Sequence, residues 1–318
     1  MQPATPGRTL AARPGEEADD RRRRLEGLLG ELDALVGLTE VKELVHEITA
    51  YAEIRRHRLR EGLAAEPMSL HMLFFGNPGT GKTTVARLLG KILCEMGLLQ
   101  RGHLVEVERA DLVGEYVGHT AQKTRQQVRK ALGGLLFVDE AYSLARGGEK
   151  DFGKEAIDTL VKAMEDHKDQ FILILAGYPA EMERFIDANP GLASRLPIHL
   201  RFPDYSTRDL MAIAEQMIAR RQYTLASGAR DALYGILLRL QNQGGEPARG
   251  NARTVRNLVE RAMRLQARRL FRSGNNLTRS DLVELTAVDF LGAERWLGQH
   301  ARRPQVVWPL SRESEAQL

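Results

Sequence analysis

The sequence predicts an α/β fold in which a parallel five-stranded sheet lies between helices and is followed by a small all-helical domain. Two observations support this prediction. Up to residue 203, short apolar runs that are typical of buried strands alternate with segments of helical periodicity. From residue 206 to about residue 285, only helical periodicity is found. Because strands that alternate with helices form parallel sheets, we expect the first part to be an α/β core.

The same patterns divide the chain into four parts. Residues 1–24 contain three Pro and four consecutive Arg but few apolar residues, which predicts a disordered tail. Residues 25–203 are expected to hold N-terminal helices and the α/β core. Residues 204–292 are expected to form the helical domain. Residues 293–318 show little periodicity and are left unassigned.

The composition is typical of a globular protein with about two domains. Of the 318 residues, 43% are hydrophobic and 28% are charged. The net charge is +4, and the basic excess lies in residues 204–292, which contain 14 Arg, no Lys and nine acidic residues. Solvated Arg side chains on helix surfaces are the commoner origin of such an excess, although an acidic partner would also suit it.

Three features predict a cytoplasmic protein without a membrane partner. Cys94 is the single cysteine, so the chain cannot form an internal disulfide, which fits a reducing compartment. No run of 18 apolar residues is present, as a membrane-spanning helix would need. The N-terminus also lacks the apolar core of a signal peptide.

The first chemical feature is the segment GNPGTGKTT at residues 76–84, which lies between an apolar run and a helical pattern. Its three glycines allow consecutive backbone N–H groups to point at an anion at the helix N-terminus. Lys82 supplies positive charge for the β- and γ-phosphates of a nucleotide, and the Thr83 hydroxyl can ligate Mg²⁺. The order of strand, glycine loop and helix favours this interpretation over an accidental turn with a solvated Lys. The predicted nucleotide-binding residues are Gly76, Asn77, Pro78, Gly79, Thr80, Gly81, Lys82, Thr83 and Thr84.

The second chemical feature is a pair of carboxylates, Asp139 and Glu140, directly after the apolar run at residues 135–138. Parallel sheets bind ligands at the carboxyl ends of their strands. There Asp139 can hold the Mg²⁺ shell, and Glu140 can orient and deprotonate an attacking water. An acidic pair that only caps the next helix is the structural alternative. The glycine loop upstream favours the catalytic interpretation.

Two further segments allow more than one interpretation. Short apolar residues and a glycine at residues 35–37 can wall an adenine pocket, and a simple turn between helices explains them equally well. Tyr116 lies between Gly114 and Gly118 on a predicted loop. A large ring at such a position is usually half-packed at the surface, so the residues alone do not single it out.

Together, the glycine loop, the Asp-Glu pair and the helical domain resemble the AAA+ ATPases, over about residues 35–291. Within this class, four segments are similar to the branch that holds the red-type Rubisco activases, and a fifth is closer still to the stage V sporulation K proteins. The four are GEYVGHTA at 114–121, LFVDEAYSL at 136–144, ILAGY at 174–178 and NPGL at 189–192. The fifth is AYSLARGGEKDFGKEAID at 141–158.

The resemblance implies roles for residues that the pattern alone leaves open. Val36 and Gly37 would touch the adenine. Arg195 would be the arginine finger that reaches the γ-phosphate bound by the neighbouring subunit. Arg253 would be the arginine of the helical lid that senses the same phosphate, with Arg256 as the alternative. Lys82, Glu140, Arg195 and Arg253 thus form the expected catalytic set.

The resemblance also implies partners and cofactors. Tyr116 and Val117 would form a pore loop that grips a polypeptide, and residues 144–153 a second pore loop. The cofactors would be ATP and Mg²⁺, bound in a homo-oligomeric ring of six subunits. The ring would remodel a protein client, in sporulation or as a Rubisco activase-like remodeller, and the client's identity does not follow from the sequence.

One departure from the AAA+ pattern concerns the end of the fourth strand. Members of this class usually have a polar Asn or Thr there, which helps to position the attacking water, whereas this chain has Gly177 and Tyr178. Either Tyr178 or Asn189 would then take over this role, or the water would be positioned less well.

Two other functions are compatible with some of the same motifs. A DNA-directed motor or loader would suit the basic C-terminal part and the Arg block at residues 21–24. The expected pore loop carries Glu115 and Tyr116 instead of Lys and Arg, so nucleic acid is not expected as a partner. A nucleotide-gated scaffold without turnover would not need Glu140.

Overall fold

The described part of the chain divides into two units, one that ends at Asp204 and one that begins at Tyr205. A computed structural model describes residues 14–65, 68–116, 118–147, 151–245, 250–274 and 277–300. Within these ranges, no helix combines the length and apolar character that a membrane span requires.

The first unit alternates helices and strands, as the sequence predicts. Its helices are α1 (Pro14–Asp33), α2 (Thr39–Arg60), α3 (Lys82–Glu95), α4 (Arg109–Leu112), α5 (His119–Ala131), α6 (Gly153–Asp166), α7 (Pro179–Asp187) and α8 (Pro190–Ala193), with a 3₁₀ turn at Ala141–Ala145. Its strands are β1 (Met72–Gly76), β2 (Leu104–Val107), β3 (Leu135–Val138), β4 (Ile172–Gly177) and β5 (Ile198–Phe202).

The five strands form one parallel sheet in the order β2-β3-β4-β1-β5. This confirms the predicted five-stranded parallel sheet between helices. Strands β1, β3 and β4 are buried along their whole length, because helices cover both faces of the sheet. Strand β5 lies at the edge and alternates buried and exposed residues.

The period-two geometry of the strands divides the core of this unit into two layers. Met72 and Phe74 of β1 join the apolar cluster that contains residues of α2 and α3. Leu73 and Phe75 point to the opposite cluster, which contains residues of α5, α6 and α7. The unit is therefore a three-layer α/β/α arrangement.

The predicted disordered tail at residues 1–24 is wrong for residues 14–24, which form the first half of α1. Two residues of the Arg block, Arg21 and Arg24, have partners at the C-terminus of α3. Arg21 donates hydrogen bonds to the carbonyl of Glu95 and, at 3.0 Å, to that of Cys94. Arg24 pairs with the Glu95 carboxylate at 3.1 Å. Cations are favoured at a helix C-terminus, where backbone carbonyls lack partners, so these Arg dock α1 instead of remaining solvated. Residues 1–13 lie outside the described residues.

The second unit begins at Tyr205, one residue after the predicted start of the lid, and is mainly helical. It also contains a short parallel strand pair that helical periodicity did not predict, and it continues to His300, beyond the predicted boundary at residue 292. Its elements are α9 (Thr207–Arg220), β6 (Thr224–Leu225), α10 (Ala229–Gln243), α11 (Asn251–Ser273), α12 (Arg279–Val283), β7 (Glu284–Leu285) and α13 (Ala287–His300).

Part of the second unit's basic excess is neutralised on its own surface. Arg221 pairs with Glu260, Arg230 with Glu215, Arg239 with Glu294, and Arg269 with Asp289. For these four residues, an acidic partner outside the chain is not needed to explain the Arg content.

His71, the residue before β1, is buried and supports the centre of the sheet. Its Nδ1 accepts a hydrogen bond of 3.0 Å from the backbone N–H of Leu173 in β4, and its ring lies 5.6 Å from the ring of Phe171. Burial lowers the pKa of His71 from its ordinary value of 6.5 to about 4. The folded protein therefore holds this imidazole neutral.

This pKa predicts a loss of stability in acid. Between pH 6.5 and 4 the unfolded chain binds a proton at His71 that the folded chain does not, so the free energy of unfolding falls as the pH falls, by up to about 3 kcal/mol. His71→Asn keeps an acceptor near this position but cannot titrate. Urea unfolding at pH values from 7 down to 4 gives the free energy of unfolding of both proteins. The wild-type free energy minus the variant free energy should decrease as the pH falls. A pH-independent difference would contradict the assignment.

Candidate functional site

The sheet order brings the two motifs of the sequence to one edge. β4 pairs with β1 on one side and with β3 on the other, and all three strands run in the same direction. The glycine loop follows β1, and the acid pair follows β3. Both motifs therefore lie at the carboxyl edge of neighbouring strands, where ligands of such sheets bind.

The glycine loop has the backbone that its sequence predicts. Gly79 and Gly81 have φ angles of 73° and 100°, in the left-handed region that glycine tolerates best. Gly81 is the N-cap of α3 and makes no side-chain cap, so no capping side chain screens the first N–H groups of this helix from an anion. Gly76 is needed for space, because a Cβ atom there would lie 2.6 Å from the carbonyl oxygen of Phe202.

Lys82 lies over this loop. Its Nζ donates hydrogen bonds to the carbonyl oxygens of Gly76, at 2.7 Å, and Asn77, at 2.9 Å. The hydroxyl of the buried Thr80 also donates to the Asn77 carbonyl, at 2.8 Å. The loop is thus closed around the Lys82 ammonium, which is the positive charge that bound phosphates require.

The side chain of Asn77 has a structural use. Its Nδ2 donates to both carboxylate oxygens of Asp204, at 3.0 and 2.9 Å. Asp204 is the last residue of the first unit. We therefore expect Asn77 to contact a nucleotide through its backbone. Pro78 is half-buried and Thr84 is exposed, and their predicted contacts with the nucleotide stay predictions.

Thr83, the predicted Mg²⁺ ligand, lies beside a third carboxylate. Its hydroxyl is 3.4 Å from Oε1 of Glu106 in β2, and Arg87 lies 3.6 Å from the other oxygen of Glu106. The sequence does not single out Glu106, because one acidic residue in a strand pattern gives no sign of a functional role. The contact places the N-terminus of α3 near the carboxyl end of β2, the neighbour of β3.

The acid pair lies on a sharp turn of the backbone. Asp139 is half-buried, and its N–H donates to the carbonyl of Val107 in β2 at 3.0 Å. Glu140 is exposed and has a φ angle of 46°, a left-handed conformation that costs a non-glycine residue about 1–3 kcal/mol. The Glu140 N–H donates to Oδ1 of Asp139 at 3.0 Å, which stabilises the turn.

These oxygens fit a magnesium ion. Mg²⁺ prefers oxygen ligands and is usually bound by one or two carboxylates together with substrate phosphates. The hydroxyl of Thr83 and the carboxylate of Asp139 are donors of this kind and lie on adjacent elements of one unit. Together with the charge of Lys82, this donor set suits the Mg²⁺ complex of a nucleoside triphosphate.

Beside the acid pair lies a tyrosine that sequence analysis did not single out. Tyr142, in the 3₁₀ turn, is 5% exposed. Its ring contacts the backbone at Gly177, where a Cβ atom would lie 2.7 Å from Tyr142 Cδ1. The guanidinium carbon of Arg146 lies 4.6 Å from the ring centre. Burial and, second, the charge of Glu140 raise the pKa of the Tyr142 phenol.

Tyr178 and Asn189 are the two residues predicted to act at the end of the fourth strand. The ring of Tyr178 is half-buried, 6.0 Å from that of Tyr142. Asn189 uses its Nδ2 to donate to the carbonyl of Phe185 near the end of α7, at 2.7 Å. Its amide N–H therefore already has a structural partner.

Arg195, the predicted arginine finger, lies between α8 and β5 and is partly exposed. Its guanidinium forms an ion pair with Glu165 of α6, with Nε 3.1 Å from Oε1. Nη1 donates to the carbonyl of Gly191 at 2.8 Å. Glu165 and Gly191 thus fix the direction of this side chain on the surface of the first unit.

The predicted pore-loop residue Tyr116 is 65% exposed, and its ring makes an edge contact with His119 at 5.5 Å. Val117 lies outside the described residues. At the base of the second predicted pore loop, Arg109 donates to Asp151 at 2.6 Å and to the carbonyl of Ser143 at 2.7 Å. The ion pair with Arg109 lowers the pKa of Asp151. Residues 148–150 of that loop are not described.

The remaining predicted residues lie apart from this cluster in the sequence. Val36 and Gly37 form the turn between α1 and α2, which Lys42 holds by donating to the carbonyl of Leu35 at 2.6 Å. Arg253 is exposed on α11 of the second unit, as is Arg256. Their roles in binding adenine and sensing phosphate stay predictions.

Comparison with known families gives two matches that together cover most of the chain. Residues 72–204 match the ATPase family associated with various cellular activities (AAA). Residues 206–299 match the AAA lid domain. The division between the two matches agrees with the division of the structure into two units.

Among curated relatives, stage V sporulation protein K from Bacillus subtilis (strain 168) is 54% identical over 259 residues, covering 81% of this chain and 80% of the relative. The chloroplastic ribulose bisphosphate carboxylase/oxygenase activase from Cyanidioschyzon merolae is 43% identical over 278 residues, covering 86% of this chain and 94% of that protein. Protein CfxQ from Xanthobacter flavus is 42% identical over 298 residues, covering 91% of this chain and 93% of that protein.

Solved structures support the fold. A RuvB variant from Thermotoga maritima matches with a TM-score of 0.55 at 19% identity, over 84% of this chain and 72% of that one. The FIGL-1 AAA domain, solved with ADP, matches with a TM-score of 0.55 at 17% identity, over 86% of this chain and 84% of that one. With both domain matches and these relatives, the chain belongs to the AAA+ ATPases, in the branch of stage V sporulation protein K and the red-type Rubisco activases.

Proposed function

We propose that this protein is an Mg²⁺-dependent ATPase that assembles into a ring of six subunits and remodels a protein client. The observation that carries the proposal is the placement of the Lys82 loop and the Asp139-Glu140 pair at one edge of the sheet, on either side of β4. Beside a loop that holds phosphates, one carboxylate of such a pair can hold Mg²⁺ and the other can activate the attacking water, as hydrolysis of the γ-phosphate requires.

Each residue of the site then has a distinct task. Lys82 and the N–H groups of the loop neutralise the β- and γ-phosphates. Thr83 and Asp139 hold the Mg²⁺, which supplies further positive charge to the phosphates when it is bound. Glu140 takes the proton of the attacking water, so that the new P–O bond forms as the bond to the β-phosphate oxygen breaks.

The ring follows from the position proposed for Arg195. An arginine that contacts the transferred phosphate can raise the rate by about 10³- to 10⁵-fold. Arg195 is bonded to Glu165 and Gly191 on the surface of its own unit, a position suited to reaching a neighbouring subunit. We propose that each active site is completed by the neighbour's Arg195.

Two features support a protein client. Tyr116 presents a largely exposed aromatic ring in the connection between α4 and α5, as a residue that grips a polypeptide would. The relatives include one named for sporulation and one named as an activase of a carboxylase. Because identity with the sporulation protein is higher, we propose a sporulation-associated client and keep a Rubisco activase-like role as the alternative.

A DNA-directed motor is the weaker alternative. Its support from the sequence was the Arg content of the second unit and the block at residues 21–24. Four of those lid arginines have acidic partners within the unit, and Arg21 and Arg24 hold α1 on α3. We therefore propose that nucleic acid is not a partner. Strong stimulation of the ATPase by DNA, with a steep dependence on salt, would reverse this choice.

We predict that Glu140→Gln abolishes turnover but not binding. The variant should bind a fluorescent ATP analogue with near wild-type affinity, and its kcat should fall by about 10²-fold or more, because a general base is lost. Lys82→Ala should instead weaken nucleotide binding itself. Steady-state phosphate release and fluorescence titration measure the two effects.

Asp187→Asn, on the exposed surface of α7, is the matched charge control for Glu140→Gln. It should leave both measurements unchanged. Wild-type turnover by Glu140→Gln would contradict the assignment of the base.

We predict that Arg195→Ala is nearly inactive alone but is rescued by mixing. The variant should lose about 10³-fold in kcat while still binding nucleotide. In mixed rings, an Arg195→Ala subunit supplies Glu140, and a neighbouring Glu140→Gln subunit supplies Arg195, so some sites become complete. Mixing the two inactive proteins should therefore restore part of the ATPase activity.

Arg184→Ala, another exposed arginine, serves as the control and should retain full activity. Mixing Arg195→Ala with Lys82→Ala gives a second complementing pair. The absence of recovery in both mixtures, although mixed rings form, would show that Arg195 acts within its own subunit.

We predict that Tyr116 is required for holding the client. In a lysate of the cells that naturally make this protein, the Glu140→Gln variant with ATP should retain client proteins that wild type releases. This variant is called the trap. Adding Tyr116→Ala to this trap should remove those proteins, because the exposed ring that grips them is lost. Mass spectrometry of the retained proteins compares the two traps.

The control trap combines Glu140→Gln with Tyr234→Ala, which removes another partly exposed tyrosine, 40% accessible on the second unit. It should retain the same proteins as the simple trap. Identical protein sets with and without Tyr116 would exclude this residue from client binding.

A further inference from the structure

The end of β4 lies between the two halves of the site and carries no side chain. Gly177, its last residue, pairs with Phe75, directly before the glycine loop. A Cβ atom at residue 177 would lie 2.7 and 2.8 Å from two carbons of the Tyr142 ring, and 2.9 Å from Cγ of Met182. The ring of Tyr142 therefore fills the place that a side chain at residue 177 would take.

The position of this ring is fixed on several sides. Tyr142 is 5% exposed and belongs to the 3₁₀ turn that begins directly after Glu140. Arg146 lies over one face of the ring at 4.6 Å, and the ring of Tyr178 lies 6.0 Å away. A residue held in this way is suited to orienting a neighbour.

The neighbour that the phenol can orient is Glu140. The two residues are separated by only Ala141, and the left-handed backbone at Glu140 starts the turn that carries both. In agreement with this placement in one turn, burial and, second, the charge of Glu140 raise the pKa of the Tyr142 phenol. A phenol with a raised pKa keeps its proton at neutral pH and can donate a hydrogen bond.

We infer that the Tyr142 hydroxyl donates a hydrogen bond to the Glu140 carboxylate and so aims it at the attacking water. This inference rests on the proposed ATPase function. Tyr142 is a positioning residue, since it acts through Glu140 and not on the phosphate. It takes the task that Tyr178 or Asn189 was expected to perform, while the Asn189 amide is bonded to Phe185.

The test compares Tyr142→Phe with Tyr178→Phe and with Tyr234→Phe in the full chain. Phenylalanine keeps the buried ring and removes only the hydroxyl. Tyr142→Phe should lower kcat by about 10- to 100-fold, as the loss of a hydrogen bond to a charged group would. Its affinity for a fluorescent ATP analogue and its thermal midpoint should stay those of wild type. Tyr234→Phe, on the second unit, should change none of these values.

A double-variant comparison separates positioning from a general effect of the ring. In the Glu140→Gln background, where no base is left to aim, Tyr142→Phe should cause no further loss of the residual rate. Gly177→Ala provides a second route, because its methyl group must displace the Tyr142 ring. We expect it to lower kcat as Tyr142→Phe does.

The outcomes are distinguishable from a failure of the proposed function. If wild type hydrolyses no ATP, the proposed function itself fails. If wild type is active and Tyr142→Phe retains its kcat, this inference alone is overturned. A loss in Tyr178→Phe without a loss in Tyr142→Phe would transfer the role to Tyr178. An equal further loss by Tyr142→Phe in the Glu140→Gln background would also overturn the coupling.

Discussion

The parallel pairing of β4 with both β1 and β3 is the constraint on which the site depends. It requires the carboxyl ends of the three strands to meet at one edge, so a loop near residue 80 and a carboxylate pair near residue 140 become neighbours. The pairing is stabilised by strands that are apolar on both faces and covered by helices on both sides. The chemistry of the edge therefore rests on the burial of the sheet's interior.

Much of this fold follows from local pattern. Apolar runs and helical periodicity were sufficient for the five strands and for the helical second unit, because burial on both faces or on one stripe leaves a clear period in the sequence. The strands β6 and β7 have only two residues each, which is too short for any period. The first half of α1 was missed for another reason: its stabilising partners, the carbonyls at the end of α3, are more than 70 residues away.

The site likewise combines features that consecutive residues determine with features that depend on residues distant in the sequence. The glycine loop and the Asp139-Glu140 pair could be predicted from the sequence. The glycines that give the backbone its freedom lie close together in one segment, and the two acidic residues are adjacent in another. Glu106, Glu165 and Tyr142 could not be predicted, because each is an ordinary residue in its own segment and gains a role only from its neighbours in space. For the end of β4 the sequence predicts Tyr178 or Asn189, whereas the hydroxyl that we infer to act there belongs to Tyr142, in the turn after β3.

The docking of α1 has a consequence for the phosphate loop. Arg21 and Arg24 contact the carboxyl end of α3, the helix whose other end follows the glycine loop. A shortened protein that begins at residue 25 would leave those terminal carbonyls to water and free α3 from one of its lateral supports. A segment that looks dispensable from its composition can thus anchor the helix that follows the glycine loop, which is some 20 Å long at about 1.5 Å per residue.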